Sequence, residues 1–269
     1  MRSRHTARDE VTYKRRHVGK VEYFTSRYGR GDASMVVYRF ARLGERSGPD
    51  FVLVHGIGVS ARSYGPTAVE LAQHGDVYLI DLPGYGRSPR PGVDLSIAGH
   101  AQVLGDFLTD RELDHPVVVG HSMGSQVVVE LAAAHPEQVD HIALIAPVIV
   151  PSARKLPKLL RLFLQDVVKE PPQVGLMAVY DYLFRAGVPY MIEQTPHLFG
   201  ARVEETAARV EAKTLVICGE DDPLVPLDWG RELADDFRHG WFATVPGPHA
   251  TMFAAPERIA KLLDEHAHR

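Results

Sequence analysis

Residues 116–134 read PVVVGHSMGSQVVVELAAA, and this junction constrains the chain more than any other segment. A β-branched run, Val117–Val119, passes directly into an Ala- and Val-rich helical stretch, Ser122–Ala134, which Pro136 ends. No loop fits between them. Gly120-His121-Ser122-Met123-Gly124 therefore lies on a tight strand-to-helix turn. Such a turn strains the backbone of its central residue and lifts that side chain above the sheet. The positions two before and two after come close together, which requires glycine. The helix N-terminus behind Ser122 adds backbone N–H groups and a positive dipole end. A G-x-S-x-G match by itself is only a glycine-flanked turn; the strand before it and the helix after it give it meaning.

The rest of the chain keeps the same rhythm. Strands are expected at Met35–Arg42, Phe51–Val54, Val77–Ile80, Ile142–Ile145, Thr214–Cys218 and Trp241–Val245. Helices are expected near Tyr64–Gln73, Ser96–Arg111 and Leu227–Phe237, with a last one from Pro256. Alternation of this kind describes a parallel sheet flanked by helices. It breaks over residues 151–205, which are rich in Pro and aromatics and read as two to four short helices, an insertion rising from one edge of the sheet. There is no internal repeat and no low-complexity tract.

Composition excludes several classes of function. The 30 Lys/Arg against 34 Asp/Glu give a net charge of −4, which disfavours a general nucleic-acid binder. Residues 1–30 carry nine Lys/Arg but read as a solvated arm, and no apolar stretch follows Arg15-Arg16 to make an export signal. The longest apolar run, Ile142–Val150, is interrupted by Pro147 and too short to span a bilayer. The single cysteine, Cys218, excludes an intrachain disulfide framework and reads as a buried small residue in a strand. A cytoplasmic protein is expected. No Cys/His cluster points to zinc and no GxGxxG follows a strand, so neither a metal nor a cofactor is expected. His266-x-His268 has metal-like spacing but falls in a polar C-terminal end, expected as a frayed helix.

A serine nucleophile needs a base, and the base needs an acid to orient it. Among 14 histidines, position decides: His249 lies in PGPHA, between the strand WFATV and the last helix. Between Ser122 and His249, the loop Gly219-Glu220-Asp221-Asp222-Pro223 follows the strand Thr214–Cys218. The order Ser122, Asp222, His249 places each residue at the C-terminal end of a strand, as in the α/β-hydrolase order of nucleophile, acid and base. After FVLV, His55-Gly56-Ile57-Gly58 brings the Ile57 N–H toward the same place. With the N–H of Met123 it makes a two-donor oxyanion hole. His55 is expected to hold this loop by hydrogen bonds.

HGIG, DLPGYGRS, GHSMGS, GEDDPLVP and PHA followed by an APERI helix resemble the α/β-hydrolase family, in its cap-bearing serine-hydrolase branch. The resemblance runs from about residue 35 to the end. It implies an α/β fold with an eight-stranded, mostly parallel sheet, a core at 35–150 and 206–269, and a helical cap at 151–205. Residues 1–34 are left as a basic N-terminal extension. It also implies that Asp81 and the PGYGRS turn are structural and that Asp222, not Asp221, is the acid. The chain departs from the pattern at Pro248, where the family often has a small residue. It departs again at Ala250, which stands where carbon–carbon bond hydrolases commonly carry Trp.

The function expected is cleavage of a carboxylic ester of a small to medium hydrophobic substrate through an acyl-enzyme. Phe163, Met177, Tyr180, Phe184 and Met191 of the insertion are expected to line its pocket. Carbon–carbon or amide bond hydrolysis with the same triad, a lyase, and a receptor-like protein on this fold are the alternatives. The substrate's identity and the oligomeric state are not legible in the sequence.

Overall fold

A computed structural model describes residues 16–18, 21–43, 48–147, 150–151 and 154–269. The strands are β1 (Arg16–Val18), β2 (Val21–Arg30), β3 (Ala33–Phe40), β4 (Phe51–Val54), β5 (Val77–Asp81), β6 (Val117–His121), β7 (His141–Ile145), β8 (Lys213–Gly219) and β9 (Gly240–Val245). They form one sheet in the order β1-β2-β3-β5-β4-β6-β7-β8-β9. From β5 through β9 every neighbouring pair is parallel, while β3, β2 and β1 add antiparallel strands at one edge. Eight strands form the expected mostly parallel sheet, and the three-residue β1 extends its edge. The parallel strands need apolar residues on both faces, which is why β4, FVLV, is buried at all four positions.

Helices α1 (Gly65–Leu71), α2 (Ile97–Asp110) and α3 (Met123–Ala134) follow β4, β5 and β6. After β7 come α4 (Leu156–Lys169), α5 (Pro172–Asp181), a π-helical turn at Tyr182–Ala186, α6 (Val188–Gly200) and α7 (Val203–Thr206). Then α8 (Leu227–Asp236) follows β8, and α9 (Thr251–Ala254) and α10 (Pro256–Ala267) follow β9. Two helical layers flank the sheet, α1 packing with α9 and α10, and α2 with α3. Start signals are visible where caps can be traced: the Ser96 hydroxyl accepts the Gly99 N–H at 3.1 Å, and Pro occupies the first turns of α1, α4, α5, α6 and α10.

Three expectations differ from the structure. The sheet begins before residue 35, because Val21–Arg30 pairs along its whole length with β3. The two are joined by a two-residue Gly31-Asp32 turn with Gly31 at φ +57°. β2 is half-buried along most of its length, but its charged and polar residues hide its strand character, and Arg30 is not a free tail charge but lies 3.1 Å from Asp106 on α2. Residues 1–15 of the basic arm, with Arg15, lie outside the described residues. Second, the helical insertion leaves the sheet between β7 and β8, which are hydrogen-bonded neighbours, and not from a sheet edge. It is a long crossover between parallel strands. Third, the C-terminus is not frayed: His266 is buried in α10, with Nε2 3.0 Å from the Ile142 carbonyl and 3.2 Å from that of Lys213.

Candidate active site

Ser122 lies between β6 and α3 with φ +55° and ψ −120°, a region that non-glycine residues seldom enter. Holding a residue there costs about 1–3 kcal/mol and persists only where the surroundings dictate it. They do so here. A Cβ on Gly120 would lie 2.4 Å from the Gly124 carbonyl oxygen, and one on Gly124 would lie 2.3 Å from that of Val54. The Ser122 N–H donates to the Ile145 carbonyl at 3.0 Å, tying the elbow to β7.

The His249 side chain is carried by the loop between β9 and α9. Its Nδ1 lies 2.8 Å from Asp222 Oδ2. A carboxylate only accepts, so Nδ1–H is the donor, and in the neutral ring Nε2 is left with its lone pair. The other Asp222 oxygen accepts the N–H groups of Leu224 at 2.7 Å and Val225 at 3.2 Å, the two residues beyond Pro223. The acid is thus held at both oxygens and buried. Asp221 is exposed; its backbone N–H donates to Gly247 and its carbonyl accepts from Lys169 Nζ.

Ser122 and His249 share a cavity of about 380 Å³ with Gly56 and Ile57. Ile57 lies in the loop after β4, and Met123 is the first residue of α3. His55 is fully buried; its Nε2 accepts the Leu82 N–H at 3.1 Å, and its Nδ1 lies 2.7 Å from the Gly56 carbonyl. That double tie bridges the loop after β4 to the end of β5. Asp81 does similar work, accepting from Tyr38 Oη, Ala61 N and Arg87 N. Gly86 has φ +57°, and a Cβ there would strike the Asp81 carboxylate.

Phe163, Met177 and Met191 line the cavity, but Tyr180 and Phe184 do not. Helix geometry explains this. On α5 the inward stripe runs through Val174 and Ala178 and continues to Tyr182 in the π turn, a spacing of four. Tyr180 and Phe184, each offset by two residues from that stripe, point outward and are exposed. Tyr182 takes the place expected of its neighbours.

Two acids that the sequence reading passed over complete the cavity wall. Asp166 on α4 and Glu170, the residue that ends it, continue the inward stripe of Leu159, Leu162 and Phe163. Asp166 Oδ1 accepts the backbone N–H of His249 at 3.1 Å, and Glu170 Oε1 accepts that of Ala250 at 2.6 Å. The signal was present: two carboxylates four apart, in phase with the apolar stripe. On α5, buried Asp181 accepts the Ser60 hydroxyl at 2.6 Å and pairs with Arg62, beside the loop after β4. His121 is also buried, its Nε2 3.2 Å from the His249 carbonyl.

These neighbours set the electrostatics. Burial alone would lower the pKa of His249; the charge and hydrogen bond of Asp222, with the charges of Asp166 and Glu170, outweigh it and raise it to about 9. Burial raises Glu170 to about 7 and also raises Asp166. His121 is pushed well below the ordinary histidine value, first by burial and then by His249. Burial likewise lifts the Cys218 thiol to about 12, leaving it un-ionised inside β8. Among the described residues, no group of three or more His, Cys, Asp or Glu could hold a metal ion.

A parallel sheet carrying a strained serine at a strand-to-helix turn defines a class, and the comparisons give it a family. The family model described as the alpha/beta hydrolase family matches residues 51–262, and the chain belongs to that family. It is 28% identical over 245 residues to the pimeloyl-[acyl-carrier protein] methyl ester esterase of Chromobacterium violaceum, covering 81% of this chain and 94% of that protein. It is 35% identical over 100 residues to an uncharacterized protein of Mycobacterium tuberculosis, 37% of this chain but only 29% of that protein's length. The enol-lactonase from Burkholderia xenovorans superposes with a TM-score of 0.74 at 19% identity, over 88% of this chain and 97% of that one, a likeness of fold.

Proposed function

We propose that this chain hydrolyses carboxylic esters through an acyl-serine intermediate at Ser122. The observation that carries the reading is a serine held at φ +55° in one cavity with His249, whose Nδ1 is bonded to a buried carboxylate, Asp222. His249 Nε2 takes the Ser122 proton as Oγ attacks the carbonyl carbon. Asp222 holds the imidazole in the required tautomer and stabilises the imidazolium. The N–H groups of Ile57 and Met123 stabilise the tetrahedral oxyanion. His249 then gives its proton to the leaving alkoxide and activates a water that releases the acid.

In this reading residues 151–205 cap the pocket. Its wall is mostly apolar, with Val59, Leu159, Phe163, Val174 and Met177, and its size suits a small to medium hydrophobic ester. Asp166 and Glu170 are positioning residues: through two backbone N–H groups they clamp the histidine loop, so the seating of α4 governs the aim of His249.

The test is Ser122→Ala with p-nitrophenyl butyrate, expected to cut kcat by about 10⁶-fold, leaving the circular dichroism unchanged. A fluorophosphonate is expected to label the wild type once, at Ser122. Retained turnover in the variant would overturn the reading. Cleavage of a matched amide with equal efficiency would move it to amide bonds.

A further inference from the structure

Between residues 155 and 188 the chain carries five cations, Lys155, Lys158, Arg161, Lys169 and Arg185, and all five are exposed. The same stretch carries three acids. Asp166 and Asp181 are buried, and Glu170 is half-buried against the Ala250 N–H. Every acid therefore points into the core while the cations stay exposed, Lys169 with its Nζ on the Asp221 carbonyl, in a chain whose net charge is −4. The next acid along, Glu193, is paired with Arg90.

Large apolar side chains are interleaved with those cations. Val168 is 86% exposed, Leu176 73%, Phe184 72% and Leu164 60%. On α4 they make a second stripe, Leu160, Leu164 and Val168, at a spacing of four, with Leu160 at its border with the cavity wall. Leaving such residues in water is unfavourable, and an apolar patch of this kind marks an interaction surface. Leu160, Val167, Val188 and Ile192 belong both to this surface and to the wall of the cavity that holds Ser122. The cavity and the patch share residues, so the cavity opens toward the patch.

We propose that the outer face of the α4–α6 helices docks on an anionic lipid bilayer. Apolar side chains enter the headgroup region while Lys158, Arg161 and Arg185 meet lipid phosphates and carboxylates. No helix among the described residues is long and apolar enough to cross a membrane, so the contact is with the surface. A second copy fits poorly, since a two-fold contact would set these cations against themselves. The cavity would then receive its ester from the bilayer, a consequence that rests on the esterase reading; the docking does not.

Sedimentation of the full chain with vesicles tests it, using Ser122→Ala so that turnover plays no part. Phosphatidylglycerol-containing vesicles are expected to bind at least about tenfold more tightly than pure phosphatidylcholine vesicles. Arg161→Glu and Leu164→Ser with Leu176→Ser are each expected to weaken that binding about tenfold. In an otherwise wild-type chain both variants should keep p-nitrophenyl butyrate turnover in solution, since none of these residues lines the cavity. Equal binding to both vesicle types, or none to either, would overturn the proposal. Self-association in analytical ultracentrifugation without vesicle binding would assign the face to a second copy and overturn it as well.

Discussion

The sheet and the helical insertion sort their side chains in opposite senses. In the sheet, Val52, Leu53, Val118, Val119, Ile142 and Leu144 are fully buried, as parallel strands covered on both faces require. In the insertion, Asp166 and Asp181 are buried while Leu164, Val168, Leu176 and Phe184 stand in water. An isolated buried carboxylate is costly, and each of these is matched by donors: the His249 N–H for Asp166, Ser60 and the half-exposed Arg62 for Asp181. The difference teaches that the sheet answers to its own packing, whereas the insertion answers to the two loops it sits on. Asp181 holds the loop after β4, and Asp166 with Glu170 holds the histidine loop.

The sheet side of the comparison predicts the largest effect after Ser122. Asp222→Asn is expected to lower kcat by as much as about 10⁴-fold without unfolding the chain, because the amide can stabilise the wrong imidazole tautomer. Asp221→Asn, at an exposed carboxylate one residue away, is expected to cost at most about tenfold. Steady-state kinetics on the two purified variants checks this, and a reversed order would transfer the acid's role to Asp221.

The insertion side predicts a smaller but distinctive effect. His249 must be neutral to act as a base, so kcat/KM is expected to rise with pH along an acidic limb set by its pKa, raised to about 9. The charged groups facing it are Asp222, Asp166 and Glu170, with neutral His121 beside it. Asp166→Asn or Glu170→Gln removes a negative charge that favours the imidazolium. Each is therefore expected to move the acidic limb to lower pH, by about half a unit or more, while kcat falls about tenfold. A fall in kcat with the limb unmoved would leave these residues a purely structural part in holding the loop.

The smallest effect concerns substrate choice. Phe163→Ala and Met177→Ala are expected to shift preference among esters of graded acyl length several-fold, through about 1–3 kcal/mol of pocket contact. Tyr180→Ala and Phe184→Ala are expected to change it less than about twofold, since both point away from the cavity. A panel of p-nitrophenyl esters from acetate to decanoate separates the two pairs. If all four behaved alike, the division between inner and outer faces of the insertion would fail.

Much of the fold was legible because it is written in local signals. Strand-helix alternation marked β3 to β9, and the glycines at 120 and 124 marked the elbow that the backbone at Ser122 requires. The pairing of Asp222 with His249 was legible for the same reason, each residue following a strand in a loop of its own. β2 was not, because a half-buried strand carrying Glu22, Arg27 and Arg30 looks like a charged tail until its pairing with β3 is known. Tyr180 and Phe184 show the limit more sharply. Composition marks 151–205 as aromatic, but only the rotation of α5 about its axis decides which ring meets the cavity.

The sequence by itself therefore determined the sheet, the elbow and the order of Ser122, Asp222 and His249, because these depend on periodicity and on backbone constraints within a few residues. Tertiary structure alone decided that Asp166 and Glu170 reach the backbone of His249 and Ala250, some 80 residues away in the chain. An acid on an amphipathic helix reads as solvated until the helix is docked. Its partner here is a backbone N–H, which leaves no mark in the sequence.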